Sequence, residues 1–239
     1  GLFVVLVVVC FVMSQLSPYF WARDNLLDLA RHLSEAGILA CGMTLIIMTG
    51  GIDLSVGSLL GLTGIVLGYT WKSLGATAGI VAALAAGFAC GAFNGALVSR
   101  FRLPPLVVTL ATMGLFRGMA MIISRAQPVS DFPEWFAWIG QGNAGPLPTQ
   151  LVVWLVVLAV TAVLVEFTAA GRYVMAVGNN ERAATFAALP VGTVKFLLYA
   201  GTGVLSAIAA IVFTSRVSTA KADAPQRPAT RSRNARRAM

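Results

Sequence analysis

Apolar runs of membrane-spanning length constrain this chain more than any other feature. Apolar residues make up 58% of the 239 residues and charged residues only 11%, and the mean hydropathy is +0.83. About 20 apolar residues let a helix cross a hydrocarbon core of roughly 30 Å. The runs lack the alternation of barrel strands, and backbone groups in lipid must bond within their own segment. We therefore predict an all-α, polytopic helical membrane protein rather than a soluble domain.

Seven segments are predicted to span the bilayer: 2–16, 36–49, 54–69, 76–98, 106–123, 151–167 and 194–213. Residues 19–35 mix apolar and charged side chains, which is typical of a helix lying at the membrane interface. Residues 36–49 would cover only about 21 Å at roughly 1.5 Å per residue. We therefore expect short or broken helices around residues 36–70.

The charge of the loops predicts an orientation. Arg100 and Arg102 lie in one loop, and Arg172 and Arg182 lie in another that an even number of spans separates from it. Cytoplasmic loops carry an excess of basic residues, so both loops are predicted to face the cytoplasm. The aromatic-rich loop 124–150 then faces outward, and so does the Arg-rich end of the chain, against the same rule.

Residues 49–57 place a carboxylate, a glycine pair and hydroxyls between two apolar runs. Acids at membrane depth are costly, and Gly-interrupted segments mark the sites of many transport proteins. On one interpretation, Asp53 and Ser55 cap the next helix; on the other, they act directly in the passage of a solute or in gating. The candidate residues of this turn are Gly50, Gly51, Asp53, Ser55 and Gly57.

The loop 168–193 contains a second polar motif. Asn179 or Asn180 can cap a short helix, Glu181 suits its first turn, and Pro190 would end it. Such a helix could be an ordinary connection or a surface on which a motor protein docks. Its candidate residues are Gly178, Asn179, Asn180, Glu181, Ala183 and Ala184.

Enzyme motifs are missing from the sequence. It contains no phosphate-binding loop, zinc-protease motif or nucleophile elbow. The three cysteines stand in apolar runs without metal spacing, and His32 is the only histidine. Five of the seventeen basic residues lie in the last 13 positions, so the net charge of +8 reflects the tail rather than a nucleic-acid surface. We expect no catalytic residue, metal or cofactor in this chain.

Three blocks of the sequence resemble the permeases of ribose/xylose-type ABC sugar importers. They cover residues 42–58, residues 93–118 in part, and residues 178–216. The resemblance implies a subunit of the bacterial inner membrane that works with a second permease copy. It also implies a cytoplasmic ATPase that binds ATP and magnesium, and a periplasmic sugar-binding protein.

The same resemblance gives roles to residues. The turn 50–57 matches the signature turn of the family, and the loop 178–190 matches the region that engages the ATPase. Asn94, Thr109 and Phe116 lie in matching blocks and are possible pore-lining residues. Alternatives are a permease for branched-chain amino acids or nucleosides, an ion-coupled carrier with Asp53 as the coupling carboxylate, and a membrane scaffold.

The end of the chain departs from this resemblance. We expect residues 1–224 to form one transmembrane permease domain, incomplete at both ends. Residues 225–239 are rich in Arg, Pro, Ser and Ala, a composition typical of disorder. We interpret them as a basic tail foreign to the fold, produced by a truncation or a frameshift.

Overall fold

The structure, a computed structural model, describes residues 1–125, 127, 129 and 132–222, with side chains as far as residue 217. The predicted tail 225–239 lies outside the described residues. The helices are α1 (Leu2–Leu16), α2 (Arg23–Met48), α3 (Val56–Leu74), α4 (Ala76–Ser99), α5 (Pro105–Ser124), α6 (Glu134–Gln141), α7 (Thr149–Phe167), α8 (Ala169–Asn179), α9 (Glu181–Phe186) and α10 (Val191–Ala222). Antiparallel strands β1 (Asn143–Ala144) and β2 (Leu147–Pro148) join α6 to α7. The predicted polytopic helical fold is confirmed.

Four of the described helices are long and apolar enough to cross a membrane. They are α4, α5, α7 and the part of α10 from Val191 to Val217, and α1 is a shorter apolar helix. All seven predicted segments are helical, so the positions of the apolar runs were predicted well. However, only four of the described helices, fewer than the seven predicted spans, meet both the length and the hydropathy expected of a membrane span.

Helix α2 corrects the prediction for residues 19–49. An interfacial helix and a separate short span were expected, but one continuous helix runs from Arg23 to Met48. At roughly 1.5 Å per residue it is about 39 Å long, enough to cross a bilayer and extend beyond it. No proline interrupts this segment, so the backbone hydrogen bonds continue through the change from polar to apolar side chains. Helix α3 contains 19 residues, so the interruption at 49–55 joins two long helices rather than two halves.

Helix α10 is the centre of the bundle, packing against α2, α3, α4 and α6. Its closest neighbour is α4, which approaches it through Gly87, Gly91 and Gly95. A Cβ atom at Gly91 would overlap the backbone of Tyr199, and Gly203 of α10 is equally close to Gly87. Small residues four positions apart thus let the two backbones touch, as in other membrane helix pairs.

The two ends of the bundle differ in composition. At the α9 end, the connections 49–55 and 100–104 surround a cavity together with α8 and α9. At the α6 end, α6 covers the bundle with its aromatic side chains. Phe136 is fully buried there, against Leu67 and Ala83, while Trp135 stacks on Trp71 of α3.

An ion pair also closes the α6 end. The Arg216 guanidinium donates to both carboxylate oxygens of Glu35, from Nε at 2.8 Å and from an Nη at 3.1 Å. Gln141 donates to the Arg216 carbonyl at 3.2 Å, and the Ser215 hydroxyl donates to the Phe136 carbonyl. These bonds tie α2, α6 and α10 together at one point.

The predicted loop 168–193 contains two helices. Helix α8 (Ala169–Asn179) was not predicted; it follows the end of α7 directly and buries Val174 and Val177. Helix α9 was predicted, but it ends at Phe186, four residues before Pro190. Ala188 takes a left-handed conformation (φ 57°), and the Leu189 N–H returns to the Ala184 carbonyl, so the chain turns before the proline is reached.

Candidate functional site

The connection 49–55 begins with a glycine turn that ends α2. The amides of Gly50 and Gly51 donate to the carbonyls of Ile47 and Ile46 at 2.9 and 3.0 Å. Gly50 has a φ of +75°, in the left-handed region that favours glycine at a helix end. The chain then runs without helical hydrogen bonding until α3 begins at Val56.

A buried relay of polar side chains holds the second half of this connection. Asp53 is 1% exposed, and its Oδ1 accepts from the Ser55 amide at 2.8 Å and from the Ser55 hydroxyl at 2.6 Å. The Ser55 hydroxyl in turn accepts from Asn94 Nδ2 of α4 at 2.8 Å. The relay therefore fixes the connection to α4 by side-chain bonds alone.

The carbonyl of Ile52 is held by two other helices. The Thr109 hydroxyl of α5 lies 3.3 Å from this oxygen, and the Tyr199 hydroxyl of α10 lies 3.4 Å from it. A backbone carbonyl without a helical hydrogen bond needs such donors at membrane depth, because no water is available in the hydrocarbon. Helices α4, α5 and α10 thus converge on two positions of the connection, Ile52 and Ser55.

Two acceptor atoms in this site have no hydrogen-bond partner among the described residues. They are Asp53 Oδ2 and Asn94 Oδ1, both shielded from solvent. A buried polar atom without a partner costs about 1–3 kcal/mol, so such atoms point to a water, a proton or a ligand group. Both atoms accept hydrogen bonds, and hydroxyl donors match them chemically.

The capping interpretation of Asp53 and Ser55 is wrong in detail. Ser55 occupies the cap position of α3, but its side chain bonds to no first-turn amide. Instead, the Asp53 carboxylate accepts a hydrogen bond from the amide of Ser55, two residues further along the chain. The carboxylate therefore stabilises the interrupted segment rather than the start of the helix.

Asn94 and Thr109 lie beside the turn, as expected of residues near a common site, but Phe116 does not. Phe116 is 2% exposed and packs against Leu59 and Leu62 inside the bundle. Its place in a matching sequence block carried no information about which way it faces. Gly57 lies on an uncovered face of α3, where an added Cβ would meet nothing within 4 Å.

The short helix α9 lies beside the same connection. Asn180 caps it, with its Oδ1 accepting the Ala183 amide at 3.0 Å. Glu181 pairs with Lys195 of α10 at 2.7 Å, and Ala184 is the residue of α9 that is buried. A cap at Asn179 or Asn180 was predicted, and Asn180 is the cap; the first-turn position of Glu181 is confirmed.

Gly178 joins the α8–α9 turn to the end of α2. A Cβ at this position would overlap the carbonyl oxygen of Met48, and Thr49 is the next neighbour. The turn and the connection together line a cavity of about 1230 Å³, which also includes Asn179, Arg102 and Lys195. Sequence patterns do not reveal the roles of Tyr199 and Lys195 or the Gly178–Met48 contact, because each depends on two distant segments meeting.

Membrane-length helices around a buried polar interruption, with a cavity at one end, define a polytopic transport protein of the permease class. A family model described as "Branched-chain amino acid transport system / permease component" matches residues 25–228, and the chain belongs to that family. This assignment includes the whole of the interruption and the α8–α9 turn.

Relatives with curated names agree with this assignment. The chain is 35% identical to the ribose import permease protein RbsC of Escherichia coli over 91% of this chain and 70% of that protein. It is 33% identical to RbsC of Bacillus subtilis over 92% of this chain and 68% of that protein. It is also 37% identical to the autoinducer 2 import system permease protein LsrD of Yersinia enterocolitica, over 78% of this chain and 59% of that protein. No solved structure matches the chain significantly.

Proposed function

We propose that this chain is a membrane subunit of an ATP-driven importer that passes a monosaccharide such as ribose across the bacterial inner membrane. Two permease copies form the path, a separate cytoplasmic ATPase supplies the energy, and a periplasmic binding protein delivers the sugar. The relatives named as ribose import permeases support the cargo. The Gly178–Met48 contact is the observation that carries the mechanism.

The Gly178–Met48 contact supports mechanical coupling because it joins the α8–α9 turn to the end of α2. Helix α9 projects from the bundle, and Phe186 at its end is 92% exposed. An exposed aromatic side chain on a projecting helix is suited to a pocket on a partner protein. A push on α9 would reach the end of α2 through Gly178, and from there the connection that holds Ile52 and Asp53.

The cavity supports a state open at the α9 end. It reaches Gly50, Gly51 and Tyr199, whereas the α6 end is covered by aromatic packing and the Glu35–Arg216 pair. A transporter works by changing which end of its site is open, and ATP binding elsewhere would bias that equilibrium. We assign the α9 end to the cytoplasm, in line with the basic loops at residues 100–102 and 172–182.

Reconstitution tests this proposal. Proteoliposomes containing the chain, its ATPase and its binding protein should take up radiolabelled ribose only when ATP is present on the α9 side. Uptake driven by a proton gradient through this chain alone would reject the proposal in favour of an ion-coupled carrier. ATP-driven uptake of leucine but not ribose would keep the importer and change its cargo, the second candidate that the family description favours.

Two variants test the coupling contact directly. Phe186→Ala should weaken binding of the ATPase while leaving thermal stability unchanged, since the side chain is almost fully exposed. Gly178→Ala should retain ATPase binding but lower ATP-driven uptake, because its Cβ would push the Met48 carbonyl away. Gly192→Ala is the matched control, since the nearest atom to its Cβ is the Ser99 carbonyl oxygen at 3.9 Å. Equal uptake by the two glycine variants would rule out the coupling role of Gly178.

A further inference from the structure

Arg117 is a charged side chain in the apolar helix α5, and the function described so far does not use it. It is exposed, and it forms no hydrogen bond or ion pair with any residue that the structure describes. Helix α5 is one of the four helices long and apolar enough to span a membrane. Ionisable residues in such helices face a water-filled cavity or a polar partner, because contact with hydrocarbon is costly.

The packing of α5 fixes the direction in which Arg117 points. Phe116 is buried against Leu59 and Leu62, and successive helical residues are rotated by about 100°. Arg117 therefore cannot turn into the core without removing Phe116 from it. Its flanking neighbours one turn away, Met113 and Met121, are exposed as well.

Arg117 also cannot reach the membrane surface easily. It lies about 10 Å before the end of α5 at Ser124, at roughly 1.5 Å per residue. Helical side chains lean toward the N-terminus of their helix, and the N-terminus of α5 is at the α9 end. The Cα–Cβ bond of Arg117 is thus directed away from the nearer surface and toward the middle of α5.

The surroundings of Arg117 leave room for a solute. An added Cβ at Gly114 or Gly118 of α5 would meet nothing within 4 Å, and the same holds for Gly57 and Gly61 of the adjacent α3. The glycines of α4 with the same spacing are instead filled by α10. Gly57 follows Ser55 by two positions, so the uncovered part of α3 begins near the candidate site.

We propose that Arg117 lines the aqueous translocation path and donates hydrogen bonds to the hydroxyl groups of the passing solute. A guanidinium offers five N–H donors and no acceptor, which matches a neutral, hydroxyl-rich ligand. Nearer the α9 end, the buried atoms Asp53 Oδ2 and Asn94 Oδ1 are acceptors without partners among the described residues. This inference rests on the proposed function for the nature of the solute, but the exposure of Arg117 to water does not depend on it.

Cysteine labelling tests the aqueous surroundings. In a background with Cys10, Cys41 and Cys90 replaced by alanine, Arg117→Cys is compared with Val160→Cys on the exposed face of α7 and with the buried Leu62→Cys. A charged methanethiosulfonate reagent should modify Arg117→Cys at least about tenfold faster than either control, since only a hydrated thiol forms the reactive thiolate. Ribose at millimolar concentration should slow the reaction. Labelling as slow as at Val160→Cys, or a disulfide between two copies through Arg117→Cys, would overturn the proposal.

Transport kinetics test the hydrogen bond itself. Arg117→Gln should raise the KM for ribose uptake about tenfold, the loss expected for one charge-assisted hydrogen bond, while Arg117→Lys should raise it less. Thermal stability should not change, because the side chain has no partner among the described residues. An unchanged KM in Arg117→Gln would overturn the binding role. Failure of the unmodified chain to take up ribose would reject the proposed cargo, whereas the labelling result would still decide whether the path is aqueous.

Discussion

The α6 end and the α9 end of the bundle differ in how closely they are packed. At the α6 end, Glu35, Arg216 and Gln141 bond to one another or to backbone, and Phe136 fills the space between α3, α4 and α10. At the α9 end, a cavity of about 1230 Å³ lies next to a connection whose Asp53 has one oxygen without a partner. The α6 end is closed by aromatic packing and an ion pair beside a cavity of only about 220 Å³, while the α9 end is hollow. Buried atoms without a hydrogen-bond partner occur at both ends, with Thr149 Oγ1 and Gln150 Oε1 near α6.

This difference suggests a division of labour. Dense packing and satisfied ion pairs resist local opening, whereas sparse contacts lower the free energy of rearrangement. We expect changes at the α6 end to lower stability most, and changes at the α9 end to lower transport more than stability.

Phe136→Ala should have the largest effect. It removes a fully buried ring that contacts Trp71 and Phe132. Large-to-small changes of this kind cost about 3–5 kcal/mol, measured here as a lower midpoint of thermal unfolding in detergent. Trp138→Ala is the control, because its side chain is 56% exposed and should change the midpoint little. Similar midpoints for the two variants would show that the α6 end is not tightly packed.

Arg216→Met should have the second largest effect. It should lower the free energy of unfolding by about 2–3 kcal/mol, because it leaves the Glu35 carboxylate without its partner. The side chains of Arg216 and Glu35 are only 20% and 11% exposed. The double variant Glu35→Gln with Arg216→Met should recover part of that loss in the same unfolding assay. Arg31→Gln, which breaks the more exposed pair with Asp28, should cost less than about 1 kcal/mol. Additive losses in the double variant would contradict direct pairing across α2 and α10.

Asp53→Ala should lower stability by about 1–3 kcal/mol, because the amide and hydroxyl of Ser55 lose their acceptor. Uptake should fall to background, since the connection would no longer be fixed to α4. Asp53→Asn retains an oxygen for Ser55 and places N–H donors where Oδ2 has no partner, so its unfolding midpoint should stay near that of the parent. Normal uptake by Asp53→Ala would remove the relay from the mechanism.

Lys195→Ala should have the smallest effect on stability, about 0.5 kcal/mol or less, because Glu181 is 53% exposed and such pairs are weak. We nevertheless expect slower ATP-driven uptake, because the pair links α9 to α10. Arg23→Ala, at the exposed start of α2, is the control for loss of one positive charge. If Lys195→Ala changed uptake no more than this control, α9 would transmit force through Gly178 alone.

The sequence predicted much of the fold and only part of the site. Long apolar runs located the helices of the bundle. A cap at Asn179 or Asn180 was correctly predicted because such a bond spans only three residues, and the structure places it at Asn180. The prediction of a separate interfacial helix at 19–35 was wrong. The mixed apolar and charged residues of this segment also fit one long helix whose polar half emerges at the α6 end. Phe116 shared a sequence block with real neighbours of the turn, but helix rotation set by Leu59 and Leu62 buried it elsewhere.

By itself, the sequence determined that this chain lies in a membrane as a helical bundle, and that residues 49–55 interrupt it. Both properties follow from local chemistry, namely continuous apolar runs and a Gly-Gly-x-Asp turn. Only the tertiary structure decided that Asn94, Thr109 and Tyr199 meet at this turn, that Gly178 touches Met48, and that Arg117 faces outward. Those outcomes depend on how each helix is rotated against its neighbours, and packing between segments distant in sequence sets that rotation.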